Sequence, residues 1–120
     1  MKTNNLIVDS FDKLPSPSYV CEEKLLENNL KLLKRIQDEA DVNILLALKG
    51  FAMWSTFDLC KKYLKGCCAS GLHEAILAKE EFGGEVHTYS AAFKDDEIDE
   101  IISISNHVVF NSFNQLKRYK

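Results

Sequence analysis

The chain has 120 residues, of which 46% are hydrophobic and 28% are charged, and its formal net charge is −3. This composition predicts one folded domain and excludes a disordered chain. Without a basic cluster or a long apolar run, neither nucleic acid nor a membrane is expected as a partner. The polar segment 1–19 lacks the apolar centre of a signal peptide, so we expect a cytoplasmic protein without disulfides.

Helical and strand periodicities alternate along the whole chain. After Pro15 and Pro17, which keep the chain extended, a short strand is predicted at 18–21 and a helix at 22–39. The nearly all-apolar segment 43–48 is typical of a parallel strand that is buried on both faces. The remaining predicted elements are a helix at 53–64, a strand at 67–70, a helix at 72–82, a strand at 86–90, a helix at 95–102, a strand at 107–110 and a helix at 113–119.

Four successive predicted strands end in similarly spaced residues, namely Lys49, Ser70, Ser90 and Asn111. The spacing of 20 or 21 residues is the length of one compact βα unit. Neither GxGxxG nor GxxxxGK[ST] occurs, so the two common nucleotide-binding loops are absent from the sequence. The pattern therefore favours an α/β fold of the βα-barrel type over a Rossmann sheet. Because a barrel needs roughly 250 residues, residues 1–120 are predicted to form its N-terminal half.

The cysteines and histidines form no recognisable metal motif. A zinc site drawn from Cys60, Cys67, His73 or His87 is an alternative, but the spacing of structural zinc motifs is missing. The sequence therefore predicts no metal site. His87 and His107 are placed within strands and His73 in the first turn of a helix, and all three are interpreted as structural.

Lys49 is the residue best placed for covalent chemistry. Active sites of βα barrels lie at the C-terminal ends of the strands. A lysine in a dry site loses its proton more readily, and the neutral amine forms an imine with a carbonyl group. Gly50 would let a cofactor approach the backbone closely. The residues alone leave open that Lys49 only extends into solvent from the end of a core strand.

The other strand ends carry residues that could donate hydrogen bonds into the same mouth. Ser70, Ser90 and Asn111 are predicted as cofactor-binding residues on this ground. The alternative for Ser70, and for Ser112 after the last strand, is capping of the following helix. Asn111 could equally settle a turn.

Several segments carry a resemblance to a known family, namely LALKGF, KGCCASGLHEA, HTYS and VVFNS. The chain resembles the fold-type III pyridoxal-phosphate decarboxylases, whose N-terminal domain is an alanine-racemase-like (β/α)8 TIM barrel. Within them it is most similar to the subgroup that acts on carboxylated triamines in bacterial polyamine synthesis. The resemblance implies that Lys49 carries pyridoxal 5'-phosphate as a Schiff base. It also implies a carboxylated polyamine substrate and a homodimer.

The resemblance also sets limits. It implies that the rest of the barrel, a C-terminal β domain and most cofactor-binding residues lie outside residues 1–120, so the fragment alone is expected to be nearly inactive. Ornithine and diaminopimelate decarboxylases usually carry an aspartate at the position of Cys67. The alternatives are one of those decarboxylases, an amino-acid racemase, a non-catalytic pyridoxal-phosphate-binding barrel protein, or an interaction module.

Overall fold

A four-stranded parallel sheet forms the centre of the computed structural model, which describes residues 12–120. The strands are β1 (Leu45–Ala47), β2 (Gly66–Ala69), β3 (Glu85–Ser90) and β4 (His107–Phe110). They pair in the order β1-β2-β3-β4, and every pair is parallel. This order has no reversal, unlike a doubly wound sheet with its switch point. The predicted α/β class with a parallel sheet is confirmed.

Three helices connect successive strands, one precedes the first strand and one follows the last. They are α1 (Glu23–Ala40), α2 (Phe57–Cys60), α3 (Leu72–Leu77), α4 (Ile98–Ile104) and α5 (Phe113–Arg118). A 3-10 turn, Trp54–Thr56, precedes α2, and a π-type turn, Ala78–Phe82, follows α3. Among residues 12–120, none of the helices has the length and apolarity that crossing a membrane requires. The first eleven residues of the polar segment 1–19 lie outside the described part of the chain.

The predicted elements differ most from the structure at 18–21 and 53–64, while the helix predicted at 95–102 lies at Ile98–Ile104 and the strand predicted at 43–48 is Leu45–Ala47. The predicted strand at 18–21 is wrong, because this segment runs to α1 without joining the sheet. A β-favouring composition produces a strand only where a partner edge is available. The helix predicted at 53–64 is shorter and begins as a 3-10 turn. There the Thr56 hydroxyl donates to the Met53 carbonyl at 2.8 Å, and no side-chain cap forms.

One face of the sheet is covered by helices, and we call it the covered face. Along β2 and β3 the buried side chains of this face alternate with less buried side chains that point to the opposite face, as the two-residue strand period requires. Cys67, Val86 and Thr88 on this face have no exposed area. The main core contains Leu30, Leu48, Phe57, Cys60, Leu64, Cys67, Ala69, Ala75, Ala78, Phe82 and Val86. A smaller core of Phe93, Ile98 and Ile101 packs against the end of β4.

The opposite face of the sheet, which we call the open face, has no covering layer among the described residues. By strand alternation it carries Leu45, Ala47, Cys68, Glu85, His87, Tyr89, His107 and Val109. The register places Ala47, Cys68, His87 and His107 in one row across all four strands. Tyr89 and Val109 in the next row are each nearly half exposed.

Gln37 fixes the position of β1 relative to α1. Its side chain is 4% exposed. Its Nε2 donates to the Tyr63 carbonyl and its Oε1 accepts from the Ile44 N–H, both at 2.7 Å. One buried amide therefore joins α1, the segment after α2 and the residue that leads into β1. Because Ile44 lies five residues before Lys49, this contact also positions the end of the strand.

Candidate active site

Lys49 lies in a tight turn directly after β1. The preceding residue, Leu48, is buried, and its N–H donates to the Cys68 carbonyl of β2 at 3.1 Å. The following residue, Gly50, donates its N–H to the Ala47 carbonyl at 2.9 Å, which closes the turn. Lys49 itself is exposed. The last ladder contact therefore ends at Leu48, and the lysine is presented at the C-terminal edge of the sheet.

Ser70 and Ser90 lie at the same edge, after β2 and at the end of β3. The Ser70 N–H donates to Glu74 Oε2 at 2.7 Å, while its hydroxyl makes no cap to α3. The Ser90 hydroxyl donates to the Ala92 carbonyl at 3.0 Å. Ser70 thus keeps its hydroxyl for another partner, whereas that of Ser90 is engaged in the loop. Their cofactor-binding roles stay predictions.

Asn111 follows β4 and carries a hydrogen bond that the sequence did not predict. Its Oδ1 accepts from the Tyr89 hydroxyl at 3.1 Å. Its N–H donates to Gln115 Oε1 at 2.9 Å, and the Gln115 N–H donates to Ser112 Oγ at 3.2 Å. Ser112 thus caps α5, while the Gln115 side chain accepts from the residue before the cap rather than from the Ser112 N–H, as it would in a capping box. Capping by Ser112 is therefore confirmed.

Tyr89 is the candidate that the strand-end pattern missed. It lies on the open face, two residues beyond His87, while Ser90 next to it alternates toward the covered face. Strand alternation within HTYS was the signal for it. Tyr89 and Asn111 together place a phenol and an amide at the edge where Lys49 lies.

An apolar groove adjoins the turn that holds Lys49. It has a volume of about 1070 Å³ and is lined by 19–22, the first turns of α1 and 50–55. Trp54 on its rim is 66% exposed, and Tyr19 is 96% exposed. Such a groove is large enough for a ligand or for a further segment of protein.

The amino-acid sequence and the fold both match proteins of known activity, although no family model matches the chain. The chain is 46% identical to the carboxynorspermidine/carboxyspermidine decarboxylase of Campylobacter jejuni over 110 residues. The aligned residues make up 92% of this chain and 29% of that protein. It is also 46% identical to the carboxyaminopropylagmatine decarboxylase of Synechocystis over 107 residues. These residues make up 89% of this chain and 28% of that protein. A decarboxylase of Herminiimonas arsenicoxydans with the same name as the first is 40% identical over 106 residues.

The crystal structure of the Campylobacter jejuni carboxynorspermidine decarboxylase, complexed with norspermidine, matches this fold with a TM-score of 0.86 and 47% identity. The match covers 88% of this chain and 29% of that chain. The chain is homologous to the N-terminal part of carboxynorspermidine decarboxylases. It spans less than a third of the length of these relatives. The predicted resemblance to the subgroup acting on carboxylated triamines is confirmed.

Cys67 occupies the position at which the family resemblance leads one to expect an aspartate. Its side chain lies on the covered face, away from the open face, and has no exposed area. Burial raises the pKa of the Cys67 thiol to about 12, with smaller contributions from Cys68 and Cys60. The thiol is therefore neutral at physiological pH and adds no negative charge to the covered face.

We expect Cys67 and Cys60 to resist alkylation in the folded protein, because both thiols are buried and burial raises both pKa values. Cys21 is partly exposed and is expected to react readily, which makes it the internal reference. Iodoacetamide labelling at mildly alkaline pH, followed by peptide mass spectrometry, measures each rate. In urea all four cysteines should react alike. Labelling of native Cys67 at the rate of Cys21 would show that the thiol is accessible.

Proposed function

We propose that the chain is the N-terminal part of a pyridoxal-phosphate-dependent decarboxylase of polyamine synthesis. It would convert carboxynorspermidine or carboxyspermidine to norspermidine or spermidine. The observation that carries this proposal is the 46% identity over 92% of the chain, joined with the matching fold. The proposal includes a cytoplasmic homodimer, which rests on the family resemblance.

The sheet supports a further part of the proposal, namely that these strands are the first four of a (β/α)8 TIM barrel. The strands follow one another in sequential order, as barrel closure requires. Parallel sheets are normally covered on both faces, whereas the open face and the outer edges of β1 and β4 are free within residues 12–120. Four more strands would cover that face and pair both edges.

The residues at the C-terminal edge of the sheet suit the end of pyridoxal phosphate that carries its aldehyde. Lys49 offers a primary amine that is exposed at the end of its strand, and Gly50 beside it has no side chain. The Ser70 hydroxyl, the Asn111 amide and the Tyr89 phenol supply neutral hydrogen-bonding groups at the same edge. When bound, the cofactor supplies an electron sink for the loss of the carboxylate as carbon dioxide.

Lys49 and the Tyr89–Asn111 pair have different tasks in the proposed site. Lys49 Nζ would be the atom that holds the cofactor covalently, as a primary amine that a substrate amine can replace. Tyr89 and Asn111 fix each other through their 3.1 Å hydrogen bond, so that either can present a remaining hydrogen-bonding group to the cofactor or the substrate. The apolar groove beside Gly50 would help to exclude water once further protein covers it.

Borohydride trapping on the intact protein tests the proposal. The protein is incubated with pyridoxal phosphate, reduced and digested, and mass spectrometry should find the pyridoxyl group on Lys49. Lys65 is the internal control, because it is also exposed but precedes β2 at the opposite edge of the sheet. A label on another lysine, or none, would refute the role of Lys49. Trapping on Lys49 without any turnover would instead indicate a non-catalytic binding protein.

A second candidate activity is decarboxylation of carboxyaminopropylagmatine, since a relative with that name is equally identical to the chain. Both substrates are carboxylated polyamines, but carboxyaminopropylagmatine ends in a guanidinium group. Initial rates with carboxynorspermidine, carboxyspermidine, carboxyaminopropylagmatine, diaminopimelate and ornithine would separate the possibilities. We expect one of the first three to give the highest kcat/KM.

A further inference from the structure

Glu85, His87 and His107 form a polar cluster on the open face. His87 and His107 are register partners on β3 and β4, and their ring centroids are 4.3 Å apart. Glu85 Oε2 lies 3.0 Å from His87 Nε2. One possible ligand atom from each of the three residues falls within 4.8 Å of the others. A carboxylate and two imidazoles therefore converge from two neighbouring strands.

The separations suit a small divalent ion. Zinc binds imidazole nitrogen and carboxylate oxygen at about 2.0–2.2 Å in a tetrahedral arrangement, so neighbouring ligand atoms lie about 3.3–3.5 Å apart. The Glu85–His87 pair at 3.0 Å is within a few tenths of an ångström of that spacing. His107 is exposed, and one of its ring nitrogens lies within 4.8 Å of the ligand atoms of Glu85 and His87. Two histidines with one glutamate are an established zinc ligand set.

The backbone under the cluster is held firmly. The Val86 N–H donates to Asn106 Oδ1 at 2.9 Å, and the Asn106 N–H donates to the Val86 carbonyl at 2.8 Å. The Glu85 N–H donates to the Lys65 carbonyl at 3.0 Å. Residues on rigid strands hold a metal with little loss of entropy on binding. The cluster also lies toward the N-terminal end of β3, and Ser90 at the other end is about 16 Å further along the strand.

We propose that Glu85, His87 and His107 bind one divalent transition-metal ion of the zinc type, which joins β3 to β4. Water or a residue outside the described part of the chain completes the coordination. The site is distinct from the proposed decarboxylase site, since Glu85 and His107 begin β3 and β4, whereas the proposed cofactor-binding residues lie at the C-terminal ends of the strands. His87 was one of several zinc candidates in the sequence, but this cluster was not predicted, because Glu85 and His87 lie two residues apart, His107 follows 20 residues later, and this spacing matches no zinc motif.

The test is metal binding by the intact protein after removal of metals with a chelator. Calorimetric titration with Zn²⁺ should show one ion per chain. Cobalt substitution should give the visible bands of a four-coordinate site without a thiolate charge-transfer band. Because imidazole binds metals only when neutral, affinity should fall as the pH is lowered. Thermal unfolding should shift to higher temperature with Zn²⁺.

Matched variants locate the site. His107→Gln and Glu85→Gln should each raise the dissociation constant of Zn²⁺ by more than about 100-fold. His73→Gln is the control, because His73 is the remaining histidine of the chain and is exposed on α3. Circular dichroism of each variant confirms that it is folded. Absence of Zn²⁺ binding by the unaltered protein, full affinity in His107→Gln, or a thiolate band would each overturn the proposal. The first of these outcomes would leave Glu85 and His87 as a hydrogen-bonded pair only.

Discussion

Replacing Lys49 with arginine should lower kcat of the intact protein by at least about 10⁴-fold with the preferred carboxylated polyamine. Arginine keeps the positive charge and a similar length, but its guanidinium stays protonated and forms no Schiff base with an aldehyde. Carbon dioxide release and chromatographic detection of the polyamine product measure the effect. The absorbance spectrum of pyridoxal phosphate bound to Lys49→Arg should differ from that of the unaltered protein, because the variant lacks the proposed covalent attachment.

The position of Lys49 makes this substitution a test of chemistry alone. The side chain is exposed, and the turn around it is held by backbone hydrogen bonds and by buried Leu48, which the substitution leaves intact. The urea midpoint of Lys49→Arg should therefore match that of the unaltered protein. Lys65→Arg, at the opposite edge of the sheet, is the matched control and should retain full kcat. Activity of Lys49→Arg within tenfold of normal would remove Lys49 from the mechanism.

Replacing Gly66 with alanine should reduce the free energy of unfolding by at least about 3 kcal/mol. A Cβ at this position would lie 1.9 Å from the Glu85 carbonyl oxygen and 2.6 Å from its carbonyl carbon. Both atoms belong to the backbone of β3, so no side-chain rotation relieves the clash. Either the β2–β3 pairing opens or the two strands move apart, and both changes disturb the centre of the sheet.

Gly71 supplies the control for Gly66. No described atom lies within 4 Å of the position that a Cβ would take there, and its φ of 174° is extended backbone that any residue adopts. Urea denaturation followed by circular dichroism, with the soluble yield of each variant, gives the comparison. We expect Gly71→Ala to stay within about 0.5 kcal/mol of the unaltered protein. Equal stability of the two variants would mean that β2 and β3 are not packed as closely as described.

The sequence was most informative where the pattern reflects local physics. The all-apolar strand before Lys49 and the glycines after the helices follow from burial and from chain geometry, so the order of elements could be read directly. The position of Lys49 followed from the same pattern, since a strand ends where its apolar run ends. The function, by contrast, came from the family resemblance, because a lysine at a strand end has an ordinary structural explanation as well.

The features that depend on pairing could not be predicted. The segment 18–21 has a strand-like composition, but only the assembled sheet decides whether an edge is available for it. Tyr89 joins Asn111 only because β3 and β4 are in register, 22 residues apart in sequence. A single sequence carries no register, so contacts across strands remained hidden. The open face is exposed because residues 12–120 form four strands and no layer that covers this face.

Gln37 gives the site a sensitivity that reaches beyond its own residues. The amide lies on α1, 12 residues before Lys49, and it holds the Ile44 N–H directly before β1. Loss of that amide would leave the Ile44 N–H and the Tyr63 carbonyl, both partly buried, without this partner and would loosen the contact between α1 and the start of β1. In a screen that records activity alone, we expect a Gln37 variant to resemble a variant of Lys49, the proposed Schiff-base residue, and a stability measurement would tell the two apart.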